Sequence, residues 1–77
     1  MTNCMKSVLK YLSQSQLGES VSNIHIDSYS SDEIEKAVLE LEAQQMITIL
    51  RRKYVDEDKE RLIVTDITEY GYSCLNK

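Results

Sequence analysis

The chain has 77 residues, with nine Lys and Arg against thirteen Asp and Glu, a formal charge of −4, 42% apolar residues, two Gly and no Pro. A chain of this size buries about 60 to 65% of its unfolded surface, so one modest core must carry the fold; a second domain and a deep substrate cleft are both excluded. It holds no apolar run of the roughly 18 residues a membrane span needs, nor the apolar stretch and cleavage site of a signal peptide. The expectation is one cytoplasmic domain over 1–77 with no membrane partner, in which Cys4 and Cys74 are reduced thiols.

Met5, Val8, Leu9 and Leu12 recur at the spacing of one helical face, and Gly18 stands where a helix would stop. This predicts a first helix from Asn3 to Gln16, with Lys6, Lys10, Ser13 and Gln14 on its wet side and Tyr11 at the boundary. Ile24, His25, Ile26 and Asp27 then alternate apolar with polar, the pattern of a short half-buried strand. Ser30 and Glu33 form a capping box, and Tyr29 and Ile34 occupy the positions of a hydrophobic staple, so a helix begins at Ser31 and ends near Gln45. Its inward face is Ile34, Ala37, Val38 and Leu41.

Met46 to Leu50 and Leu62 to Thr65 are β-branched and apolar runs on either side of a charged stretch, which reads as a hairpin with a charged tip. No Asn-Gly or Asp-Gly pair fixes a tight turn, so the register stays open. Thr68 offers a cap to a short closing helix in which Ile67, Gly71 and Leu75 face inward.

Helix, short strand, helix, hairpin and closing helix make an α+β order, the plan of a winged helix whose hairpin is the wing. Tyr29-Ser30-Ser31-Asp32-Glu33-Ile34, followed by Leu41-Glu42-Ala43-Gln44-Gln45-Met46-Ile47, resembles the helix and strand entry of small bacterial and phage winged-helix proteins of the YjcQ kind. Ile67-Thr68-Glu69-Tyr70-Gly71-Tyr72-Ser73-Cys74-Leu75 is similar to the closing "leucine, threonine, x, x, glycine" segment of many winged-helix regulators. Such proteins usually place Gly before the strand, in a left-handed conformation, and here Gln45 stands in that place, so the resemblance implies a strain of about 1 kcal/mol there. Residues 19 to 23 are few and polar for the middle helix of a three-helix core, which leaves open whether they form that helix or only a turn.

The resemblance implies DNA binding in a regulatory, transcriptional role, with the helix before the wing in the major groove and the wing on phosphates. Affinity for DNA comes mainly from Lys and Arg releasing counterions. Ser30 to Gln45, however, holds Asp32, Glu33, Glu35, Glu40 and Glu42 against Lys36, which is the whole of the chain's net charge of −4. The first three carboxylates suit the positive end of the helix dipole, yet all five repel phosphate. The opposing signal is Arg51-Arg52-Lys53-Tyr54 at the start of the wing, with Lys59 and Arg61 returning on the second strand, bases beside an aromatic that can hold a phosphate backbone. The competing reading of those charges is a solvated hairpin, since Met46 to Ile67 carries five bases and five acids.

The candidate contacts for double-stranded DNA are therefore Arg51, Arg52, Lys53, Tyr54, Lys59 and Arg61, with Lys36 on the helix. The alternative is a protein-interaction adaptor or a homodimer using the outer face of the acidic helix, where Asp32, Glu35, Leu39 and Ala43 make an apolar spot with an acidic rim.

The sequence points to neither catalysis nor metal. His25 reads as a surface residue, and Cys4, His25 and Cys74 lack the clustered spacing of a zinc site. The two thiols approach each other only if the first and last helices pack together. Asp56 and Asp58 lie on an exposed tip, where no burial raises a carboxyl pKa. Gly18 and Gly71 are isolated and form no phosphate loop. No enzyme activity, cofactor or small-molecule substrate is expected.

Overall fold

The structure is a computed structural model that describes residues 2–15, 17–18, 20–56, 58 and 60–75. Among these, three helices and one two-stranded antiparallel hairpin follow in the order α1 (Asn3–Gln14), a single 3-10 turn (Val21–Asn23), α2 (Ser31–Ala43), β1 (Ile47–Arg52), β2 (Arg61–Ile67) and α3 (Glu69–Leu75). The α+β class is as expected.

Helix α1 begins where Thr2 Oγ1 accepts a hydrogen bond from the Met5 amide at 3.1 Å, filling one of the bonds a helix N-terminus lacks. Its buried residues are the expected four, Met5, Val8, Leu9 and Leu12. It ends at Gln14, earlier than the spacing predicted, and Gln16 lies outside the described residues. The residues read as a strand, Ile24 to Asp27, join no ladder. Ile24 is buried and Ile26 half-buried around an exposed His25, so the alternation is real, but it belongs to an extended segment crossing the edge of the core. The pairing occurs earlier in the chain: Ser20 makes an isolated antiparallel bridge with Ile63, and the Gly18 amide donates to Val64 O at 2.9 Å. The middle segment, left open between turn and helix, is the 3-10 turn, which buries Val21.

The capping box of α2 is complete. Ser30 Oγ accepts from the Glu33 amide at 3.3 Å, and Glu33 Oε1 accepts from the Ser30 amide at 3.3 Å. Tyr29 is half-buried against the core and Ile34 is buried, as a staple requires. The helix stops at Ala43 rather than near Gln45, because the chain closes there in a Schellman motif. The Gln45 amide donates to Glu42 O at 2.9 Å and the Met46 amide to Leu41 O at 3.0 Å, with Met46 and Leu41 both buried.

That motif needs a left-handed residue, and Gln45 supplies it at φ 62°. A side chain in this region costs about 1 kcal/mol relative to Gly, so Gln45→Gly should stabilise the fold by about that much. Chemical denaturation of the two forms checks this; an unchanged or lower midpoint would show that the exposed Gln45 side chain offsets the strain.

Strands β1 and β2 pair Ile47 with Ile67, Ile49 with Val64, Leu50 with Ile63, Arg51 with Leu62 and Arg52 with Arg61. The strands run farther toward the tip than the apolar runs alone indicated. The register shifts between Thr48 and Ile49, where Thr65 is the extra residue opposite, and the Thr48 and Thr65 hydroxyls meet at 2.9 Å. Ile67 ends β2 instead of belonging to the closing helix, and it is buried there; of the other two residues predicted to face inward, Gly71 is buried and Leu75 half-buried. Thr68 is the cap expected for α3: its Oγ1 accepts from the Gly71 amide at 3.1 Å and donates to Gln45 O at 2.6 Å. One hydroxyl thereby joins the end of α2 to the start of α3.

The core contains Met5, Val8, Leu9, Ile34, Val38, Leu41, Ile47 and Val64 at its centre, drawn from α1, α2 and both strands. No buried side-chain polar atom among the described residues lacks a partner. Among the described residues no helix is long and apolar enough to cross a membrane.

Candidate nucleic-acid interface

The antiparallel register sorts the basic residues of the hairpin onto two faces. Ile47, Ile49 and Arg51 share the face that carries Val64 and Leu62, which is turned to the core, while Thr48, Leu50 and Arg52 share the other. Arg51 consequently leans toward α2. Its guanidinium makes a two-pronged hydrogen bond to the Glu42 carboxylate, with Nη1 at 2.9 Å from Oε2 and Nη2 on Oε1. The hydrogen bonds and charge of Glu42 hold the Arg51 pKa above its ordinary value. A pair at this exposure adds little to stability, but it fixes the direction of Arg51 and cancels its charge. Sequence reasoning counted Glu42 as a repellent carboxylate and Arg51 as an open contact. In the fold the two neutralise each other.

Arg52 lies on the solvent face directly opposite Arg61. Like charges at facing positions repel, and Tyr54 provides a partial remedy: the Arg61 guanidinium sits 4.8 Å from the Tyr54 ring centroid. Every residue from Leu50 to Asp56 is exposed, and Arg52 and Lys53 make no ion pair with a described residue. The structure thus brings Arg52, Lys53, Tyr54 and Arg61 to one end of the hairpin. Lys59 lies outside the described residues. Lys36 is not part of this group, because it lines a crevice between α1 and α2 with Thr2, Cys4, Glu33 and Glu40.

The residues of the alternative interface are where helical spacing places them. Asp32, Glu35, Leu39 and Ala43 are all exposed, and Leu39 presents 39% of its surface. Its neighbours one turn away along the helix are Glu35 and Lys36 on one side and Glu42 and Ala43 on the other.

The cysteines do not come together. Helices α1 and α3 do pack, but Cys4 faces the crevice toward α2 and Cys74 lines a groove on the α3 side. Both are free thiols. Cys4 Sγ donates to Glu33 O at 3.7 Å, and burial, with Glu33 and Glu40 nearby, pushes its pKa up, so it is held as a thiol with little nucleophilic character. Among the described residues no three His, Cys, Asp or Glu side chains are grouped to hold a metal ion.

The groove containing Cys74 went unnoticed in the sequence. Its signal was present, in that Lys6 and Lys10 are the only charged side chains before Glu19. The chain matches no protein-family model, no curated protein and no solved structure.

Proposed function

We propose that the chain is a small regulatory winged-helix module, similar to proteins of the YjcQ kind, that associates with double-stranded DNA through its wing. The observation that carries this reading is the presence of Arg52, Lys53 and Arg61 at the exposed end of the hairpin, with the Arg61 guanidinium against the Tyr54 ring. Cations with a planar ring beside them suit phosphate and sugar. Helix α2 does not enter the major groove in this reading, since its outward side chains are mainly carboxylates and its one Lys faces the α1 side. The wing contacts the backbone and binding is weak, steeply dependent on salt and nearly indifferent to sequence. No catalytic role is part of the proposal.

Titration of a labelled duplex at about 50 mM salt tests it. Arg52→Ala and Lys53→Ala are each expected to weaken binding about three- to fivefold and to reduce the slope of log affinity against log salt by about 0.9. Absence of binding by the parent chain, or binding indifferent to both changes, overturns the proposal.

The exposure of Leu39 on the helix face that also presents Asp32 and Glu35 favours a second reading, in which the outer face of α2 is a protein-docking surface. Its signature is an association that Leu39→Glu abolishes while DNA binding through the wing persists.

A further inference from the structure

A groove of about 490 Å³ runs between α1 and α3, closed at one end by the segment after α2. Its lining divides by chemistry. Met46 is buried, Cys74 and Leu75 are half-buried, and Tyr70 stands 53% exposed at the side, giving an apolar floor and wall. Lys6 and Lys10 lie one helical turn apart along the α1 side, exposed and without an ion pair to any described residue. No described carboxylate lines the groove. Such a site suits an acidic helix carrying one outward apolar side chain.

The chain presents a helix of that description. On α2, Leu39 lies one turn beyond Glu35, with Asp32 three residues before it. Side chains three or four apart on a helix are about 5 to 6 Å from each other, so Asp32 and Glu35 repeat at nearly the spacing of Lys6 and Lys10. We propose that the groove between α1 and α3 binds the outer face of α2 from a second copy of the chain, with Leu39 on Met46, Tyr70 and Leu75 and with Asp32 and Glu35 beside Lys6 and Lys10. The inference rests on the docking-surface reading of α2 and names its partner.

Within one chain the two surfaces cannot meet. Helix α1 packs against both α2 and α3, and the groove is on its α3 side while the Leu39 face points away from the core. The contact is therefore between unlike surfaces, and a pair so formed retains an unused groove on one copy and an unused face on the other, so further copies add head to tail. It uses no residue of the hairpin, so every copy in such a row keeps Arg52 and Lys53 for DNA.

Sedimentation velocity on the full chain, up to about 1 mM to detect a millimolar association, tests this with two variants. Leu39→Glu removes the docking face and leaves the groove; Lys6→Glu with Lys10→Glu removes the groove and leaves the face. All three changes are at exposed positions, and matching circular dichroism spectra establish that each variant is folded. The parent chain should form a series of growing species that shrinks with added salt. Each variant alone should be monomeric, its association weakened on the order of tenfold or more. An equimolar mixture of the two variants should form a dimer and nothing larger, because one supplies the only groove and the other the only face.

A doubly reversed groove that still associates like the parent, while Leu39→Glu does not, overturns the groove assignment and leaves the α2 surface standing. A mixture that stays monomeric although the parent associates overturns head-to-tail pairing. A parent chain that is monomeric throughout overturns the proposal and gives the groove to another occupant.

Discussion

Gly71→Ala is expected to lower stability by about 3 kcal/mol or more, which in a domain of this size moves the thermal midpoint down by about 12 °C or more. A β-carbon at Gly71 would lie 2.2 Å from the Met46 carbonyl oxygen and 2.8 Å from Ile67 Cγ2. The first of these atoms cannot retreat cheaply. The Met46 carbonyl accepts the Thr68 amide at 3.0 Å, and Met46 itself closes the Schellman turn of α2, so shifting it disturbs the end of α2, the first pair of the hairpin and the cap of α3 together. Gly18→Ala is the matched control. It combines φ 100° with no atom within 4 Å of the added carbon, so its cost is that of backbone conformation alone, about 1 to 2 kcal/mol. Thermal unfolding followed by circular dichroism separates the two. A loss at Gly71 no greater than that at Gly18 would mean that α3 is not seated on Met46 as described, and the groove between α1 and α3 would lose its geometry with it.

The contrast between these glycines shows which parts of the fold could be read from the chain. Ser30 and Glu33 are three residues apart and bond to each other's backbone, so the start of α2 is a local event with a local signature. The inward faces of α1 and α2 repeat at the helical period and were equally legible. The alternation from Ile24 to Asp27 was also read correctly as a pattern, but period two describes any extended chain that lies along a core. Whether it pairs depends on where β2 runs, and β2 is met instead by Gly18 and Ser20. The seat of Gly71 on Met46 and the bonding of Arg51 to Glu42 depend on elements meeting across a turn, and neither residue carries a mark of its partner. For this reason the acidic helix and the basic strand read in the sequence as separate, opposed charges, when part of each is spent on the other.

That mutual cancellation is adjustable, and Glu42→Gln is the change that exposes it. The substitution keeps the shape of the side chain, removes one negative charge from the side of α2 nearest the hairpin and releases the Arg51 guanidinium from its two-pronged bond. Loss of an ion pair this exposed should scarcely alter the unfolding midpoint. Affinity for duplex DNA, in contrast, should rise about tenfold at about 50 mM salt, and the salt slope should steepen by about 0.9, as expected when one further phosphate contact forms. Arg51→Ala in the same titration supplies the opposite arm: because Glu42 holds Arg51 in the parent, removing Arg51 forfeits no phosphate contact and only leaves an unpaired carboxylate beside the wing, so binding should weaken about twofold, and Glu42→Gln combined with Arg51→Ala should return near the parent value instead of the roughly fivefold gain that additivity gives. The coupling between the two positions, measured as the departure of the double variant from additivity, reports their contact directly. Strictly additive effects would mean that Glu42 does not hold Arg51 in solution, and an unchanged affinity on Glu42→Gln would place the DNA contact away from this face of the hairpin.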